Sequence, residues 1–487
     1  MEAVFTNVPW AAVLILLPLA GGMVCFLWPR SARLTGLLVA FTLVLSVAGL
    51  GWQLLQHGVF RHSPGGWGAP LGIELYADGL SLLMLAATAL VGFAVSVYAV
   101  GYFEREQSAR FWPLWLLLLA ALNALFLSAD IFNLYVTLEM MGLAAVALTA
   151  LTGGRDALGG AMRYLLATLS GSLLYLLGVA LLYHGFGTVD IALLAERVEA
   201  APVVGAALGL ICAGLLLKTA LFPMHFWLPP AHASAPAPVS AVLSALVVKA
   251  SFYILLRLWL SIFAPLGAEF VSILLGLLGG AAVLWGSLQA LRQTRLKLLV
   301  AYSTVAQIGY LFIAFPLAAV AGVTAWSAVA YLALSHALAK AAMFMAAGNL
   351  LRFGGHDRIA DLDRVAQRLP LTAGAFALAG VSIMGLPPSG GFIGKWLLLE
   401  AALAQGRWEL AAVLILGSLL AAAYVFKVLG HFFTTADETH APGDVPGSME
   451  WAALLLAMTA ILLGFLAVPV LALLGIGDVF AASGISQ

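Results

Sequence analysis

The chain has 487 residues, of which 63% are hydrophobic and only 9% charged, where a soluble domain carries about 25% charged residues. It cannot cover a water-facing surface, which excludes a soluble enzyme, a secreted scaffold and a nucleic-acid binder. Its 22 basic and 22 acidic residues balance, so no charged tail points to a polyanionic partner. Cys25 and Cys212 lie in apolar runs and form neither a disulfide framework nor a metal-ligand set. Fifty glycines and twenty prolines in so apolar a chain point to close helix packing and interrupted membrane helices.

A spanning helix takes about 20 mostly apolar residues. In chain order such runs fall near 8–28, 34–54, 79–100, 111–128, 131–151, 161–184, 202–226, 237–262, 270–291, 298–317, 323–350, 371–404, 409–433 and 451–475. The expected fold is an all-α polytopic membrane protein of about 14 transmembrane helices. Helices 7 and 12 should be broken. The first runs through Lys218 into Phe222-Pro223, and the second contains Gly385-Leu386-Pro387-Pro388-Ser389-Gly390-Gly391. Proline removes a backbone donor and glycine relaxes the chain, so each is read as an interruption within the membrane. The first apolar run has no basic flank and no convincing cleavage site, so no cleavable signal is expected.

Arginine and lysine set the orientation. Arg30, Arg33, Arg105, Arg110, Arg155, Arg163, Arg292, Arg295, Lys297, Arg352, Arg358, Arg364 and Arg368 fall in odd-numbered loops, against Arg61, Arg197, Arg257 and Arg407 in even loops and adjoining helix ends. That bias puts odd loops in the cytoplasm and both termini on the outer side of a bacterial-type inner membrane. The acidic odd loop with Asp437, Glu438 and Asp444 does not weigh against it, because the rule weighs basic residues.

Five of the six lysines (Lys218, Lys249, Lys340, Lys395 and Lys427) fall inside apolar segments, as does Glu139. A charge at the bilayer centre costs roughly 2.5–3.5 kcal/mol on insertion scales. Static salt bridges or snorkelling to the headgroups would explain one such residue; six in a charge-poor chain ask for a shared purpose. Burial brings a lysine within reach of neutral pH, whereas arginine stays protonated. Alternating Lys, Glu, His and water therefore form a proton relay. His336 and Lys340 share a helix face as i and i+4, and Ser303, Gln307 and Tyr310 form a polar stripe suited to holding water. His225 and His232 flank a proline-rich stretch and are read as ordering or relay groups rather than metal ligands. Asp130 and Arg163 are read as an interfacial ion pair.

Lys218 and Lys395 are 177 residues apart, and Lys249 and Lys427 are 178 apart. This spacing suggests two inverted five-helix repeats, 111–262 (helices 4–8) and 270–433 (helices 9–13). Three helices precede them in 1–110, and helix 14 follows in 434–487. The chain has no phosphate-cradling loop, no iron–sulfur cysteine set and no haem-spaced histidines. No cofactor and no metal are expected.

Asn133-Leu-Tyr-Val-Thr-Leu-Glu139, Leu217-Lys218-Thr-Ala-Leu-Phe-Pro223-Met-His225-Phe-Trp-Leu-Pro229, Ala235-Pro236-Ala-Pro-Val-Ser240 and Gly391-Phe-Ile-Gly-Lys395-Trp resemble the antiporter-like membrane subunits. These serve respiratory complex I, membrane-bound hydrogenases and Mrp-type cation/proton antiporters, and the resemblance covers nearly the whole chain. It implies fourteen helices, a Glu139–Lys218 pair, Lys249 as central relay residue and Lys395 as the terminal one. Within the family the pattern is most similar to the D-type Mrp subunit. The resemblance implies proton translocation beside other membrane subunits, with Na⁺ or K⁺ as the exchanged cation. A proton-pumping subunit of a complex I-like or hydrogenase assembly and a proton channel powering inorganic-carbon uptake are the alternatives. A structural anchor with vestigial charges would instead leave lysine substitutions silent.

Overall fold

The computed structural model describes residues 8–435, 443–478 and 480. Asp437 and Glu438 of the acidic loop, and both chain ends, lie outside the described residues. Besides three short helices (Ile191–Arg197, Val365–Arg368 and Ala467–Leu473), the main helices are α1 (Trp10–Leu27), α2 (Ala32–His57), α3 (Gly79–Tyr102), α4 (Arg105–Phe126), α5 (Ile131–Thr149), α6 (Arg155–Phe186) and a first half-helix α7a (Pro202–Thr219). Then come α7b (Leu228–Ser234), α8 (Ala237–Leu266), α9 (Glu269–Arg292), α10 (Leu296–Ala318) and α11 (Ala321–Gly354). Two half-helices follow, α12a (Pro370–Met384) and α12b (Gly390–Ala404), and then α13 (Trp408–His431) and α14 (Gly447–Phe465). Thirteen of these segments are long and apolar enough to cross a membrane. The fourteenth crossing is divided between α12a and α12b, each 15 residues long. The chain is a polytopic all-α membrane protein.

Both breaks form where the sequence places them. α7a ends on Ala220 at φ 58°, and Pro223, which has no N–H to give, follows in the non-helical turn. α12a ends on Gly385 at φ 79°, a left-handed conformation that a residue with a Cβ adopts only with strain. Ser389 restarts the chain, its hydroxyl accepting from Phe392 N–H as the cap of α12b.

The centre of the bundle is built from α8, α10 and α11. The most apolar windows of α8 and α11 are wholly buried, whereas α1, α9 and α13 bury under half of theirs. The helices that carry Lys249 and Lys340 are therefore the ones the fold shields best from lipid. The loop between α2 and α3 holds a feature the apolar pattern did not suggest, an antiparallel hairpin pairing Phe60–His62 with Leu75–Ala77. It is too short to carry a hydropathy period.

Helix starts at 105, 131, 155, 202 and 237 recur at 269, 296, 321, 370 and 408, a spacing of 164 to 171 residues. That is shorter than the 177 and 178 between the paired lysines. The lysine pairs are therefore not equivalent positions of the two sets: Lys218 ends α7a before its break, and Lys395 follows the break in α12b.

One other expectation is corrected, and one gains detail. Arg257 lies near a helix end, as its place among the even-loop and helix-end arginines implies, but it is buried there on α8 and ion-paired to Asp78, which caps α3. Arg257 also donates to Ser81 Oγ and Tyr253 Oη, both at 3.0 Å. Burial alone would raise the Asp78 carboxyl, but the guanidinium and the hydrogen bonds from Arg257 and Ser81 outweigh it and hold its pKa below the usual value. Asp130 and Arg163 do not pair. Asp130 caps the start of α5 by accepting from Asn133 N–H at 2.5 Å, while Arg163 stands in the third turn of α6, alongside the opposite, C-terminal end of α5.

Candidate proton path

Lys218 Nζ lies 3.2 Å from Glu139 Oε1 and donates to Thr168 Oγ1 at 2.8 Å. The three residues come from α7a, α5 and α6. Gly171 makes room for the lysine stem, since a Cβ there would stand 3.0 Å from Lys218 Cγ and 2.8 Å from the Gly214 carbonyl. Lys218 is 3% exposed and Glu139 18%, so the carboxylate is the more open end of the pair.

Lys249 occupies the middle of α8, just past a π-helical turn at Leu243–Val247. Its Nζ donates 2.7 Å to the Ser244 carbonyl within that turn. Such wide turns recur at functional sites because they release backbone groups from the helix ladder. The Ser244 hydroxyl meets Thr304 Oγ1 at 2.8 Å, and Thr304 leans on the Val300 carbonyl at 3.0 Å. Lys340 of α11 donates to the same Val300 carbonyl at 2.7 Å and to Ser303 Oγ. Lys249 and Lys340 thus stand at the two ends of a run of polar groups through α10, in which Ser244 uses its carbonyl toward Lys249 and its hydroxyl toward Thr304, and the Val300 carbonyl accepts from both Thr304 and Lys340.

Lys395 Nζ donates to the Ile383 carbonyl at 2.8 Å and to Ser418 Oγ at 3.4 Å, and lies 4.2 Å from the centre of the Tyr310 ring. A Cβ on Gly385 would come within 2.7 Å of Lys395 Cδ, so the glycine at the break also houses the lysine. Gln307 Nε2 donates to the same Ile383 carbonyl at 3.3 Å. Gly385, Lys395 and Ser418 line a groove of about 230 Å³ walled by Trp396, Ile415 and Leu419.

Among the described residues, none of Lys249, Lys340 and Lys395 meets a carboxylate; each rests on neutral oxygens. Burial without a counter-ion disfavours an ammonium, so these are not static salt bridges. His336 is buried with neither ring nitrogen hydrogen-bonded, and the charges acting on it are Lys249, Lys340 and Lys395.

Lys427 sits elsewhere. Its Nζ donates to the Leu291 and Gln293 carbonyls at 2.9 and 2.7 Å, the geometry of a cation capping the C-terminal end of α9. His225 and His232 go to different surroundings. His225 stacks on Phe222, while His232 stacks on Phe344 with both nitrogens unpartnered.

Sequence reasoning missed several members. Lys297 counted as a loop residue, yet it is buried at the start of α10, donates to the Ala235 carbonyl and acts electrostatically on His232. Thr304 was legible in principle, standing beside Ser303 at the head of the polar stripe. Thr168, Ser244 and Ser418 carry no such signal, because single hydroxyls are common on packed membrane helices.

A family model described as "NADH:quinone oxidoreductase/Mrp antiporter, TM" matches residues 128–421, and one described as "NADH-Ubiquinone oxidoreductase (complex I), chain 5 N-terminus" matches 68–112. The chain is 37% identical over 479 residues to the N-type subunit of the NADH-quinone oxidoreductase of Desulforudis audaxviator, covering 93% of this chain and 95% of that protein. It is 29% identical to the D-type subunit of the Na(+)/H(+) antiporter of Bacillus subtilis, covering 87% and 84%. Among solved structures it resembles a chain of the Mrp complex from Dietzia sp. with a TM-score of 0.89 and 25% identity, covering 98% and 99%.

Proposed function

The chain belongs to the NADH:quinone oxidoreductase/Mrp antiporter family of membrane subunits, and we propose that it conducts protons for an Mrp-type cation/proton antiporter. It is an antiporter-like, proton-translocating, multi-pass subunit that works beside other membrane subunits. The observation that carries the relay is the thread Lys249–Ser244–Thr304–Val300–Lys340, in which neither ammonium has a carboxylate partner. Glu139 and Lys218 load the proton, His336 lies between the lysines, and Lys395 exchanges it at the far end. The buried pair Lys297–Ala235 and the unpartnered His232 offer an approach from the start of α10. Lys427 has the role of a cap on α9.

The helix spacing supports 111–262 and 270–433 as two five-helix units of opposite direction. The arginine bias supports odd loops in the cytoplasm of a bacterial inner membrane and both termini outside. The match across 98% of the chain to a subunit of an Mrp complex supports the Mrp-type assembly, and the 29% identity to the D-type subunit of a Na(+)/H(+) antiporter supports Na⁺ as the exchanged cation, with K⁺ as the alternative. A second reading has its own support: 37% identity to the N-type subunit of an NADH-quinone oxidoreductase favours a redox-driven assembly.

The test is isolation of the tagged chain with its native partners in mild detergent. Small membrane subunits with a second antiporter-like chain, and Na⁺-dependent proton efflux on reconstitution, are expected. Co-purifying flavin or iron–sulfur subunits would move the assignment to the redox assembly. Wild-type flux from Lys218→Ala would overturn the relay.

A further inference from the structure

A cavity of about 630 Å³ opens on the membrane face that carries the even-numbered loops, and no lysine lines it. It lies where the end of α8, the start of α9, the ends of α10 and α11 and the turn before α13 come together. Gln405 Nε2 of that turn donates to the Leu317 carbonyl at 2.7 Å, which fastens the turn to α10. Sites for small ligands span about 300–1,000 Å³. The floor is aromatic: Phe315 stands nearly perpendicular to both Trp259 and Trp326, 5.1 Å from each ring centre. The rim is charged. Arg407 pairs through Nε with Glu409 at 2.5 Å, and among the described residues nothing accepts from its two terminal nitrogens. Glu269, in the first turn of α9, is exposed and has no basic partner among the described residues. Below the rim, Phe270, Ile273, Leu274 and Leu277 form an exposed i, i+3, i+4, i+7 stripe down α9, and Ile273 also lines the cavity. A charged mouth thus runs without a break into an apolar, outward-facing track.

We propose that this cavity seats the headgroup of a zwitterionic phospholipid of the phosphoethanolamine class. Its phosphate meets the free N–H groups of Arg407, whose planar fork suits phosphate oxygens. Its primary ammonium reaches the Glu269 carboxylate, and an acyl chain follows the α9 stripe. The two indoles sit where tryptophan gathers in membrane proteins, at the level of the headgroups. A primary ammonium has N–H groups to give the carboxylate and a quaternary choline has none, so ethanolamine is favoured over choline. A soluble zwitterion would satisfy the two charges but would leave the apolar track unused. A seated lipid ties together the neighbouring ends of α8, α10 and α11, the helices that carry the central lysines. No relay residue lines the site, so its fate is separate from that of the proton path.

The test is lipid retention by the intact complex, stripped by detergent washing and then offered dioleoylphosphatidylethanolamine or dioleoylphosphatidylcholine. Bound lipid is counted by native mass spectrometry. Arg407→Ala should weaken the hold on one lipid on the order of tenfold for either headgroup, as the loss of a charge-assisted contact implies. Glu269→Gln should leave phosphatidylcholine retention unchanged and bring phosphatidylethanolamine down to the same level. Both side chains are at the surface, so both variants should assemble. If Arg407→Ala does not accumulate, Arg407→Lys keeps the charge, loses the fork and should give a smaller loss of the same sign. Equal retention by wild type and the Arg407 variant overturns the site. A wild type without preference for ethanolamine over choline overturns the headgroup class. Displacement of the lipid by an equal concentration of glycerophosphoethanolamine makes the cavity a site for a soluble solute and overturns the lipid. A wild-type complex that takes up neither lipid, because a neighbouring subunit fills the cavity, overturns it as well.

Discussion

Glu139→Gln tests the loading pair by removing a charge while keeping shape and a carbonyl acceptor for Lys218. Unit charges 3.2 Å apart attract by about 5 kcal/mol at an effective dielectric near 20. The Thr168 hydroxyl remains at 2.8 Å, but a hydrogen bond from a charged donor contributes only about 1.5–3 kcal/mol. Glutamate is 18% exposed, and water relaxing around it roughly halves the Coulomb difference to about 2.5 kcal/mol. At about 1.4 kcal/mol per factor of ten, the loaded state of Lys218 then becomes roughly 70-fold rarer. Proton flux should fall by about that factor in proteoliposomes containing the intact complex, with yield and subunit composition unchanged. Flux within about twofold of wild type would mean that Glu139 does not hold the loaded proton, and the loading argument would be refuted.

Lys249→Met should abolish flux yet leave the complex as heat-resistant as wild type or more so, because it removes an unpaired buried cation; a large loss of stability would instead make Lys249 a structural residue. Lys427→Met strands the Leu291 and Gln293 carbonyls and should cost about 1–3 kcal/mol of stability, while flux per assembled complex stays near wild type. Asp78→Asn leaves the Arg257 guanidinium buried without its counter-charge and should destabilise by about 3–5 kcal/mol, most of which Asp78→Asn with Arg257→Met should recover. Because folding lowers the Asp78 pKa, its contribution is complete above the unfolded value, about 3.9, and fades as pH falls through the lower folded value. An acid-stability profile of Asp78→Asn should lack that limb, and an unchanged profile would show the pair to be inert.

Much of this was legible before any fold. Apolar length marks the helices, since lipid leaves a backbone no partner but itself. Proline and glycine mark both breaks for equally local reasons. Lysines at 218, 249, 340 and 395 advertise themselves because a charge in an apolar run is costly wherever the run packs. The failures share a different cause. Lys297 and Arg257 lie near helix ends, where sequence cannot say whether a neighbouring loop covers them. Lys427 lies in an apolar run but caps α9, and only the position of that helix end reveals it. The spacing of 177 and 178 between lysines read as a repeat, whereas the helices recur at 164 to 171. Side chains of one type can fall on opposite sides of a helix break, and a count along the chain does not register which.

The sequence by itself determined that the protein lives in lipid, how many times it crosses, where two crossings break and which residue types can carry a proton. These follow from transfer free energies and backbone hydrogen bonding, which act residue by residue. The tertiary structure decided which ions are paired and which stand on neutral oxygens, and that Lys340 and Thr304 share the Val300 carbonyl while Lys249 turns back onto the Ser244 carbonyl of its own helix. Those are distances between segments roughly 40 to 180 residues apart, set by how the helices pack, and no local pattern encodes them.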